Sequence, residues 1–259
     1  MTRRGFHARI VGSLIASRAR GNAEPRPTEL RYLALEWPSD APSEMWPQRE
    51  REAASFGSLL KPFLAIAYGQ THASYPAVEC RGAASGCWSQ QGHGRQTLLP
   101  AMANSCNSYF LALSREVDRA ALRGVCLEYG LAEPPNESTE FNFTGLGAGW
   151  PQTPRGVLEA FHRLVQTRSN RVVKLALDGM RLCAQGGTAK ESRLDCFAKT
   201  GTAPCRHHPA AEGDGYAMLI CPVDTPRMIL LAMQHETTGA HTAALAGELL
   251  RGSFHIGRA

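Results

Sequence analysis

The chain has 259 residues, of which 43% are hydrophobic and 20% are charged, and this composition predicts a globular protein able to bury a full core. Its formal net charge of +5 is modest. The positive charge is most concentrated near the N-terminus, in Arg3, Arg4, Arg9, Arg18 and Arg20. Because no basic–aromatic array or nucleic-acid motif accompanies this charge, no nucleic-acid partner is expected.

Residues 1–24 form a basic N-terminal segment that contains a short apolar stretch at positions 10–16. The arrangement resembles the charged and apolar regions of a signal peptide, but Arg18 and Arg20 follow at once and no A-x-A cleavage site is present. A degenerate signal, a misplaced start and a fragment of a longer protein all remain open. No stretch approaches the roughly 20 apolar residues of a membrane-spanning helix, so we expect any membrane anchor to lie upstream.

Residues 25–259 are expected to form one domain, because the motifs described below are spread over this length and must converge on one cleft. Partial alternation predicts a first strand at 30–36, followed by a polar, proline-containing stretch up to residue 55. The apolar run at 63–68 predicts a buried helix. Residues 69–96 are predicted to be a loop region, and 98–113 to be helical on both sides of Ser105.

The second half of the chain continues with helices and then with strands. Residues 115–129 predict a helix ended by Gly130, and residues 133–153 predict a loop. The remaining predicted elements are helices at 157–165 and 172–183, strands at 195–202, 216–221 and 228–234, and a closing helix at 240–251. Helices in the middle of the chain with strands near both ends predict an α+β fold.

Three short sequence strings contain the candidate catalytic residues. They are Ser58-Leu59-Leu60-Lys61, Ser105-Cys106-Asn107 and Lys199-Thr200-Gly201. Each string alone has an ordinary explanation, namely an exposed pair on a helix, a helix cap or turn, and the end of a strand. Together, in the order S-x-x-K, S-x-N and K-T-G, they resemble the motif set of serine acyl-transferring enzymes that react with penicillin.

The spacing of the first string has a physical reason. Residues three apart lie on one face of a helix, so Ser58 and Lys61 are predicted to point into the same cleft. A serine hydroxyl is a poor nucleophile unless a neighbouring base takes its proton. A lysine can be that base if burial or nearby positive charge lowers its pKa, and Lys199 is the expected second cation.

The residues around these strings extend the resemblance to bacterial penicillin-binding transpeptidases. The similar blocks are G-S-x-x-K-P-F at 57–63, S-x-N with an aromatic pair at 105–110, G-x-G and T-P at 145–154, G-T-A at 187–189 and K-T-G-T-A at 199–203. The resemblance implies an antiparallel sheet flanked by helices, an all-helical lobe beside it, and an active site between the two. The separation of Ser58 and Lys199 is short for this family, so we expect loops that shape the substrate groove to be missing.

The resemblance also implies the roles of the site residues. The implied catalytic residues are Ser58 as nucleophile, Lys61 as its base, Ser105 as proton relay and Lys199 as a source of positive charge. The residues implied to bind substrate are Asn107, Thr200, Gly201 and Thr202. Backbone N–H groups of Ser58 and Thr202 would form the oxyanion hole. No cofactor is expected.

The implied substrates are D-Ala-D-Ala stem peptides of peptidoglycan, together with β-lactam antibiotics as inhibitors. Transpeptidase and carboxypeptidase activities both fit this resemblance. We expect a periplasmic or other extracytoplasmic location, with membrane association through an upstream segment or a membrane-anchored cell-wall partner.

Two alternatives remain open, a serine β-lactamase and a non-catalytic module that binds β-lactams as a sensor. A class A β-lactamase uses a dedicated carboxylate for deacylation. Glu137 and Glu140 lie in a suitable loop, but their spacing to Asn142 does not match E-x-x-L-N. A class D enzyme would not normally carry an asparagine at the position of Asn107.

Eight cysteines are more than a cytosolic enzyme of this size usually carries. Cys80 and Cys87 bracket a short loop, and Cys196 and Cys205 flank the Lys199 motif. Either pair is therefore a candidate disulfide of an oxidising compartment. Cys106, inside the S-x-N string, is expected to be a packed free thiol.

A metal site is the competing interpretation of the cysteines, because His93, His207 and His208 lie near them in the sequence. However, no C-x-x-C unit or other zinc-type spacing occurs. The sequence therefore predicts no metal site.

Overall fold

The structure is a computed structural model that describes residues 29–36, 43–44, 46, 50–147 and 149–254. The basic segment predicted at 1–24, and the domain boundary placed after it, lie outside the described residues. Within these ranges, no helix has both the length and the hydropathy needed to cross a bilayer.

The elements of the described residues follow the chain in an α+β order, which confirms the predicted fold class. The strands are β1 (Arg31–Glu36), β2 (Ser43–Glu44), β3 (Val78–Cys80), β4 (Gly94–Gln96), β5 (Phe197–Ala203), β6 (Asp214–Cys221) and β7 (Met228–Gln234). The helices are α1 (Lys61–Thr71), α2 (Leu98–Ala103), α3 (Asn107–Glu116), α4 (Arg119–Tyr129), α5 (Glu140–Phe143), α6 (Pro154–Gln166), α7 (Arg171–Gly186) and α8 (Gly239–Ser253). Short 3₁₀ turns are formed by Gly57–Leu60, Gly82–Ser85 and Lys190–Ser192.

Five strands form one antiparallel sheet in the order β2-β1-β7-β6-β5. The register pairs Leu33 with Leu231, Leu231 with Met218, and Met218 with Lys199. Directly paired residues project from the same face of a sheet, so these four side chains form one row. The row begins among core residues on β1 and ends at Lys199 on the edge strand β5.

The sheet is covered on both faces, which explains why β6 is buried along its whole length. One face packs on α8, where Leu219 and Leu230 lie in an apolar cluster with Ala243 and Ala246. The other face carries the row that includes Leu231 and belongs to the larger core shared with the helices. Lys199 therefore lies on the face that is directed towards the helical lobe.

Helix α1 is the centre of the helical lobe, and its residues from Lys61 to Tyr68 are all buried. Phe63 packs on Tyr129 of α4 and on Phe161 of α6, with ring centroids 5.5 and 5.1 Å apart. Aromatic pairs at such distances add to the free energy gained from burial. These contacts fix α1 within the helical lobe.

Most predicted elements are confirmed, and the differences fall where the chain turns sharply. The helix predicted at 98–113 is two helices, α2 and α3, which are separated by a turn at Ser105. The loop predicted at 69–96 contains the hairpin β3–β4. Gly130 ends α4 as predicted, in a left-handed conformation with φ of 74°.

Neither predicted disulfide is formed, since all eight cysteines are described and all carry free thiols. The pairing of Cys196 with Cys205 is wrong for a geometric reason. The seven residues of β5 lie between them and, at about 3.3 Å per residue, separate them by roughly 23 Å. Cys80 and Cys87 do approach each other, but both thiols are directed at His93.

Candidate active site

Ser58 lies in the 3₁₀ turn Gly57–Leu60 that leads into α1, rather than within a continuous α-helix as predicted. In a 3₁₀ turn, residues three apart are eclipsed, so Ser58 and Lys61 still share one side. The predicted common orientation is therefore retained by a different local structure. Ser58 is half-buried, and Pro62 falls in the first turn of α1, where no helical hydrogen bond is lost.

The serine turn packs directly on the edge strand β5. Gly57 has φ of 54°, and a Cβ at this position would collide with the backbone carbonyl of Thr202. A Cβ on Gly201 would likewise collide with the carbonyl of Phe56. Only glycine allows this close approach of two backbones, which brings the chain at Ser58 next to the chain at Thr202.

Lys61 is completely buried, and its amine has several oxygen acceptors. Its Nζ donates to the carbonyl oxygen of Ser105 at 2.8 Å and to Oδ1 of Asn107 at 2.7 Å. The hydroxyl of Ser105 lies 3.5 Å from the same nitrogen. The first and second motifs, predicted separately, are therefore joined through one lysine.

Ser105 has φ of 51°, a left-handed conformation that is uncommon for a residue with a side chain. The turn directs its hydroxyl towards both lysines, because Lys199 Nζ donates to Ser105 Oγ at 2.8 Å. Strained backbone of this kind concentrates at functional sites, where the surrounding structure holds it. Lys199 also donates to the carbonyl of Thr200 at 2.9 Å and is itself completely buried.

The G-x-G and G-T-A blocks also pack at the site, the first on the serine turn and the second on strand β5. A Cβ on Gly145 would collide with the carbonyl of Gly57, so the G-x-G segment packs on the serine turn. Ser55 Oγ donates to the carbonyl of Gly147 at 2.8 Å. On the other side, the hydroxyls of Thr188 and Thr200 form a 2.5 Å hydrogen bond that joins the G-T-A block to the K-T-G strand.

Burial and proximity alter the pKa values of both lysines. Burial, and then the positive charge of Lys199, hold the pKa of Lys61 well below its usual range. Burial lowers the pKa of Lys199 to about 8. Burial and the neighbouring charge thus favour the neutral form of Lys61, while Lys199, with a pKa of about 8, is mostly charged at neutral pH.

The other predicted binding residues surround this network. Asn107 is buried at the first position of α3, and its amide oxygen is held by Lys61. Thr202 is exposed, and its hydroxyl accepts a 3.0 Å hydrogen bond from the backbone N–H of Gly239 at the start of α8. Ser58 Oγ stands outside the hydrogen bonds that link the other site residues, within the described part of the chain.

The two glutamates considered for deacylation are not part of the site. Glu137 and Glu140 are both exposed. Asn142 Oδ1 accepts from the backbone N–H of Thr139 at 2.9 Å and caps α5. Among the described residues, no carboxylate forms a hydrogen bond with Lys61, Ser105 or Lys199.

The architecture is similar to that of solved transpeptidase domains. PBP2 from Helicobacter pylori matches with a TM-score of 0.71 and 15% identity, over 90% of this chain and 61% of that chain. The chain has the penicillin-binding transpeptidase fold. The transpeptidase domain of FtsI4 D,D-transpeptidase from Legionella pneumophila matches with a TM-score of 0.64 and 18% identity, over 88% of this chain and 90% of that one.

A third similar structure is the transpeptidase domain of penicillin-binding protein 3 from Burkholderia pseudomallei. Its TM-score is 0.66 at 12% identity, with 85% of this chain and 87% of that chain covered. The chain therefore spans nearly all of the isolated transpeptidase domains but less than two thirds of the Helicobacter PBP2. No family model matches the sequence, and no curated protein matches it.

Sequence reasoning missed two features of this region. Thr188 was matched to a family block but not assigned to the site, although its hydroxyl bonds to Thr200. The larger omission is a cluster of Cys80, Cys87, His93 and Cys106, whose ligand atoms lie within 4.8 Å of one another. The available signals were the proximity of His93 to the cysteines, from which a metal site was considered and then rejected for lack of a zinc-type spacing, and the cysteine inside the S-x-N string.

A second, smaller group of potential ligands lies apart from the site. It consists of Cys205, Asp214 and His235, all of them buried. His235 Nδ1 and Asp214 Oδ1 share a 2.6 Å hydrogen bond. Among the described residues this group has only three potential ligands, and two of them, His235 and Asp214, are already hydrogen-bonded to each other.

Proposed function

We propose that the protein is a penicillin-binding serine acyltransferase that acts on D-Ala-D-Ala peptides of peptidoglycan through an acyl-enzyme on Ser58. The observation that carries the proposal is the buried network in which Ser105 links Lys61 to Lys199, beside Ser58 and within the transpeptidase fold. Both transpeptidation and carboxypeptidation are reactions of such an acyl-enzyme, which differ only in the final acceptor.

In the acylation step, Ser58 Oγ attacks the carbonyl carbon of the scissile peptide or β-lactam bond. Lys61, whose neutral form is favoured by burial and by the nearby charge of Lys199, takes the serine proton. The backbone N–H groups of Ser58 and Thr202 stabilise the oxyanion, which the close packing of Gly57 on Thr202 supports. A C–O bond forms as the C–N bond breaks.

The leaving nitrogen must receive a proton as that bond breaks. We assign this relay to Ser105, and its hydroxyl, which accepts from Lys199 at 2.8 Å and lies 3.5 Å from Lys61 Nζ, supports the assignment. The proton taken from Ser58 thereby returns to the leaving group through Lys61 and Ser105. The acyl group then passes to an amine of a second peptide or to water.

Substrate binding is assigned to the residues on either side of the network. Asn107 holds an amide of the substrate, and the hydroxyls of Thr200 and Thr202 bind its terminal carboxylate. The charge of Lys199 assists this binding, because charge-assisted hydrogen bonds are roughly twice as strong as neutral ones. Gly201 contributes by allowing β5 to approach the serine turn.

A serine β-lactamase is the second candidate, and a specific observation weighs against it. Fast deacylation requires a base that activates water, and the site contains no carboxylate among the described residues. Glu137 and Glu140 are exposed to solvent instead. A long-lived acyl-enzyme is therefore the expected outcome with a β-lactam.

The location and partners follow from the same proposal. We assign the domain to the periplasm or another extracytoplasmic space, in association with the membrane through an upstream segment or an anchored partner. PBP2 from Helicobacter pylori, which matches this chain with a TM-score of 0.72, is known in complex with MreC. This supports a cell-wall protein as partner.

The test is covalent labelling of the purified protein with a fluorescent penicillin, followed by a denaturing gel. Ser58→Ala should abolish the label, whereas the matched control Ser253→Ala, at the exposed end of α8, should keep it. Rapid hydrolysis of the penicillin without stable label would indicate the β-lactamase. Equal labelling of Ser58→Ala and the wild type would overturn the proposal.

A further inference from the structure

Four side chains with metal-binding atoms converge directly behind the S-x-N turn. Cys80 Sγ and Cys87 Sγ each lie 3.5 Å from His93 Nδ1, and Cys87 Sγ lies 4.0 Å from Cys106 Sγ. All four ligand atoms lie within 4.8 Å of one another. The three cysteines are buried and His93 is half-buried.

The spacing of these atoms matches tetrahedral zinc. Zinc binds cysteine sulfur at about 2.3 Å and histidine nitrogen at about 2.0–2.1 Å, so tetrahedral angles put S···N at about 3.5 Å and S···S at about 3.8 Å. The observed distances are 3.5 Å for both S···N pairs and 4.0 Å for the S···S pair of Cys87 and Cys106. Three of the ligand–ligand distances are thus those expected around one zinc ion, and the other pairs lie within 4.8 Å.

We propose that Cys80, Cys87, His93 and Cys106 form a structural zinc site. Cys₃His is a regular ligand set for structural zinc, and four protein ligands complete the tetrahedral shell. The site would therefore hold its ion without an open position for water or substrate. The closed shell of four protein ligands distinguishes the site from a catalytic metal centre. The zinc ion would take no part in the reaction of Ser58.

The local backbone is shaped to present these ligands. The antiparallel pairing of β3 and β4 places Cys80 opposite Gly94, next to His93. The 3₁₀ turn that follows returns the chain, so that Cys87 N–H donates to the carbonyl of Gly82 at 3.1 Å. Gly82 has φ of 68°, and a Cβ there would collide with the carbonyl of Gln90. The turn is therefore closed tightly around the cluster.

The surroundings of Cys80 suit a thiolate ligand. Backbone N–H groups of Gly82 and His93 donate to its sulfur, and Ser108 Oγ donates to the same atom at 3.3 Å. Donors of this kind stabilise the negative charge of a metal-bound sulfur and fix its orientation. Ser108 is in turn held by Ser85 at 2.8 Å, so the outer contacts reach the 3₁₀ turn and α3.

The position of Cys106 gives the site a consequence for the neighbouring cleft. Cys106 is the N-cap residue of α3 and lies between Ser105 and Asn107. A zinc ion bound to it would hold the strained turn from behind and connect it to the β3–β4 hairpin. We assign the site a positioning role, because its ligands contact neither Ser58 nor the two lysines in any hydrogen bond of the described residues.

The direct test is the metal content of the full chain, produced reduced in the presence of zinc sulfate and then freed of unbound metal. We expect about one zinc per chain in the wild type and in Cys126→Ala, which removes a buried thiol of α4 outside the cluster. Cys106→Ala should lose the zinc. A wild-type protein without zinc, or equal zinc in Cys106→Ala, would overturn the proposal.

A second variant keeps the test decisive if Cys106→Ala does not fold. His93→Gln changes the half-buried ligand at the edge of the cluster and should weaken zinc affinity at least about tenfold, with exposed His241→Gln as its control. Cobalt(II) in place of zinc should give the visible absorption of a tetrahedral sulfur-rich site. An octahedral spectrum, or a disulfide among the three cysteines in protein purified with zinc, would contradict the site.

A third measurement separates this proposal from the proposed function. Ser58→Ala should contain as much zinc as the wild type whether or not the protein reacts with penicillin. Removal of zinc by a chelator should lower the melting temperature of the wild type by at least about 5 °C but leave that of Cys106→Ala unchanged. Chelation without any effect on the wild-type melting temperature would rule out a structural role.

Discussion

Lys199 Nζ donates a 2.8 Å hydrogen bond to Ser105 Oγ, although the two residues are 94 positions apart in the chain. Lys199 belongs to the edge strand β5, whereas Ser105 forms the turn between α2 and α3. This bond therefore joins the sheet to the helical lobe. Because both side chains are buried, relative displacement of the two layers would leave two polar groups without partners and is strongly resisted.

Lys61→Met tests the assignment of the base. Methionine retains a buried, unbranched side chain but has no amine, so acylation by a fluorescent penicillin should slow roughly 10²–10⁴-fold. Lys174→Met is the matched control, since Lys174 is 68% exposed and pairs with Asp178 at the surface. Time-resolved labelling on gels measures both rates. Labelling of Lys61→Met at the wild-type rate would contradict the role of the base.

The pH dependence of acylation follows from the two lysines. The proposed mechanism requires a neutral Lys61 and a charged Lys199. As the pH rises through about 8, the pKa of Lys199, that residue loses its proton and the rate should fall about tenfold per pH unit. At lower pH, protonation of Lys61, whose pKa lies well below its usual range, reduces the rate on the acid side. Second-order rate constants from about pH 5 to about pH 10 check this, and an undiminished rate at the alkaline end would be inconsistent with it.

Gly57→Ala tests the close packing of the serine turn on β5. The added Cβ would collide with the carbonyl of Thr202 at a φ of 54°, so unfolding free energy should fall by roughly 1–3 kcal/mol and labelling should be lost. Gly124→Ala on α4, where a Cβ meets open space, should instead raise stability by about 0.4–1 kcal/mol. Urea unfolding measures both, and an unchanged stability of Gly57→Ala would refute the argument.

Glu137→Gln and Glu140→Gln separate a penicillin-binding enzyme from a β-lactamase. Both carboxylates are exposed, and neither is bonded to the site within the described residues. We expect neither substitution to change the lifetime of the penicilloyl-enzyme, which a chase with unlabelled penicillin measures. A lifetime lengthened about tenfold or more by either substitution would identify that glutamate as a deacylation base.

Thr188→Val removes one hydroxyl from the pair that Thr188 forms with Thr200. Valine has nearly the same shape, so the fold should be retained while the orientation of Thr200 is lost. Cleavage of D-Ala-D-Ala peptides should then show a KM raised about tenfold, in line with the value of one hydrogen bond to a charged group. A fall in kcat with unchanged KM would contradict the assignment of Thr200 to carboxylate binding.

The sequence predicts the helices and strands well because most of them bury a continuous face. Residues 157–165 and 172–183 are predicted to be helical, and α6 and α7 extend these ranges by a few residues at each end. The three strands near the C-terminus are found at nearly the predicted positions. Their apolar runs are typical of a sheet covered on both faces.

The turn at Ser105 could not be predicted in the same way. No local pattern indicates a left-handed serine, since the conformation is stabilised by contacts with Lys61 and Lys199, which come from other parts of the chain. The order of the motifs predicts that Lys61, Ser105 and Lys199 lie close together. It does not predict the backbone conformation of Ser105 that allows their hydrogen bonds. The 3₁₀ geometry at Ser58 is likewise a result of packing on β5 rather than of helix propensity.

The cysteine cluster was missed for a topological reason. Cys80 ends β3, Cys87 follows the 3₁₀ turn, His93 directly precedes β4 and Cys106 caps α3, so the spacing of the four ligands is irregular along the chain. Zinc motifs are recognisable in sequence when two ligands come from one tight turn. Here only the pairing of β3 with β4, which the sequence did not predict, brings Cys80 next to His93.

The left-handed conformation of Ser105 implies a conflict between stability and activity at this position. Glycine adopts φ of 51° without strain, so Ser105→Gly would relieve the backbone cost of the turn. The same change would remove the hydroxyl that receives the hydrogen bond from Lys199. Selection for folding alone would favour glycine here, so the presence of serine agrees with the relay role proposed for its hydroxyl.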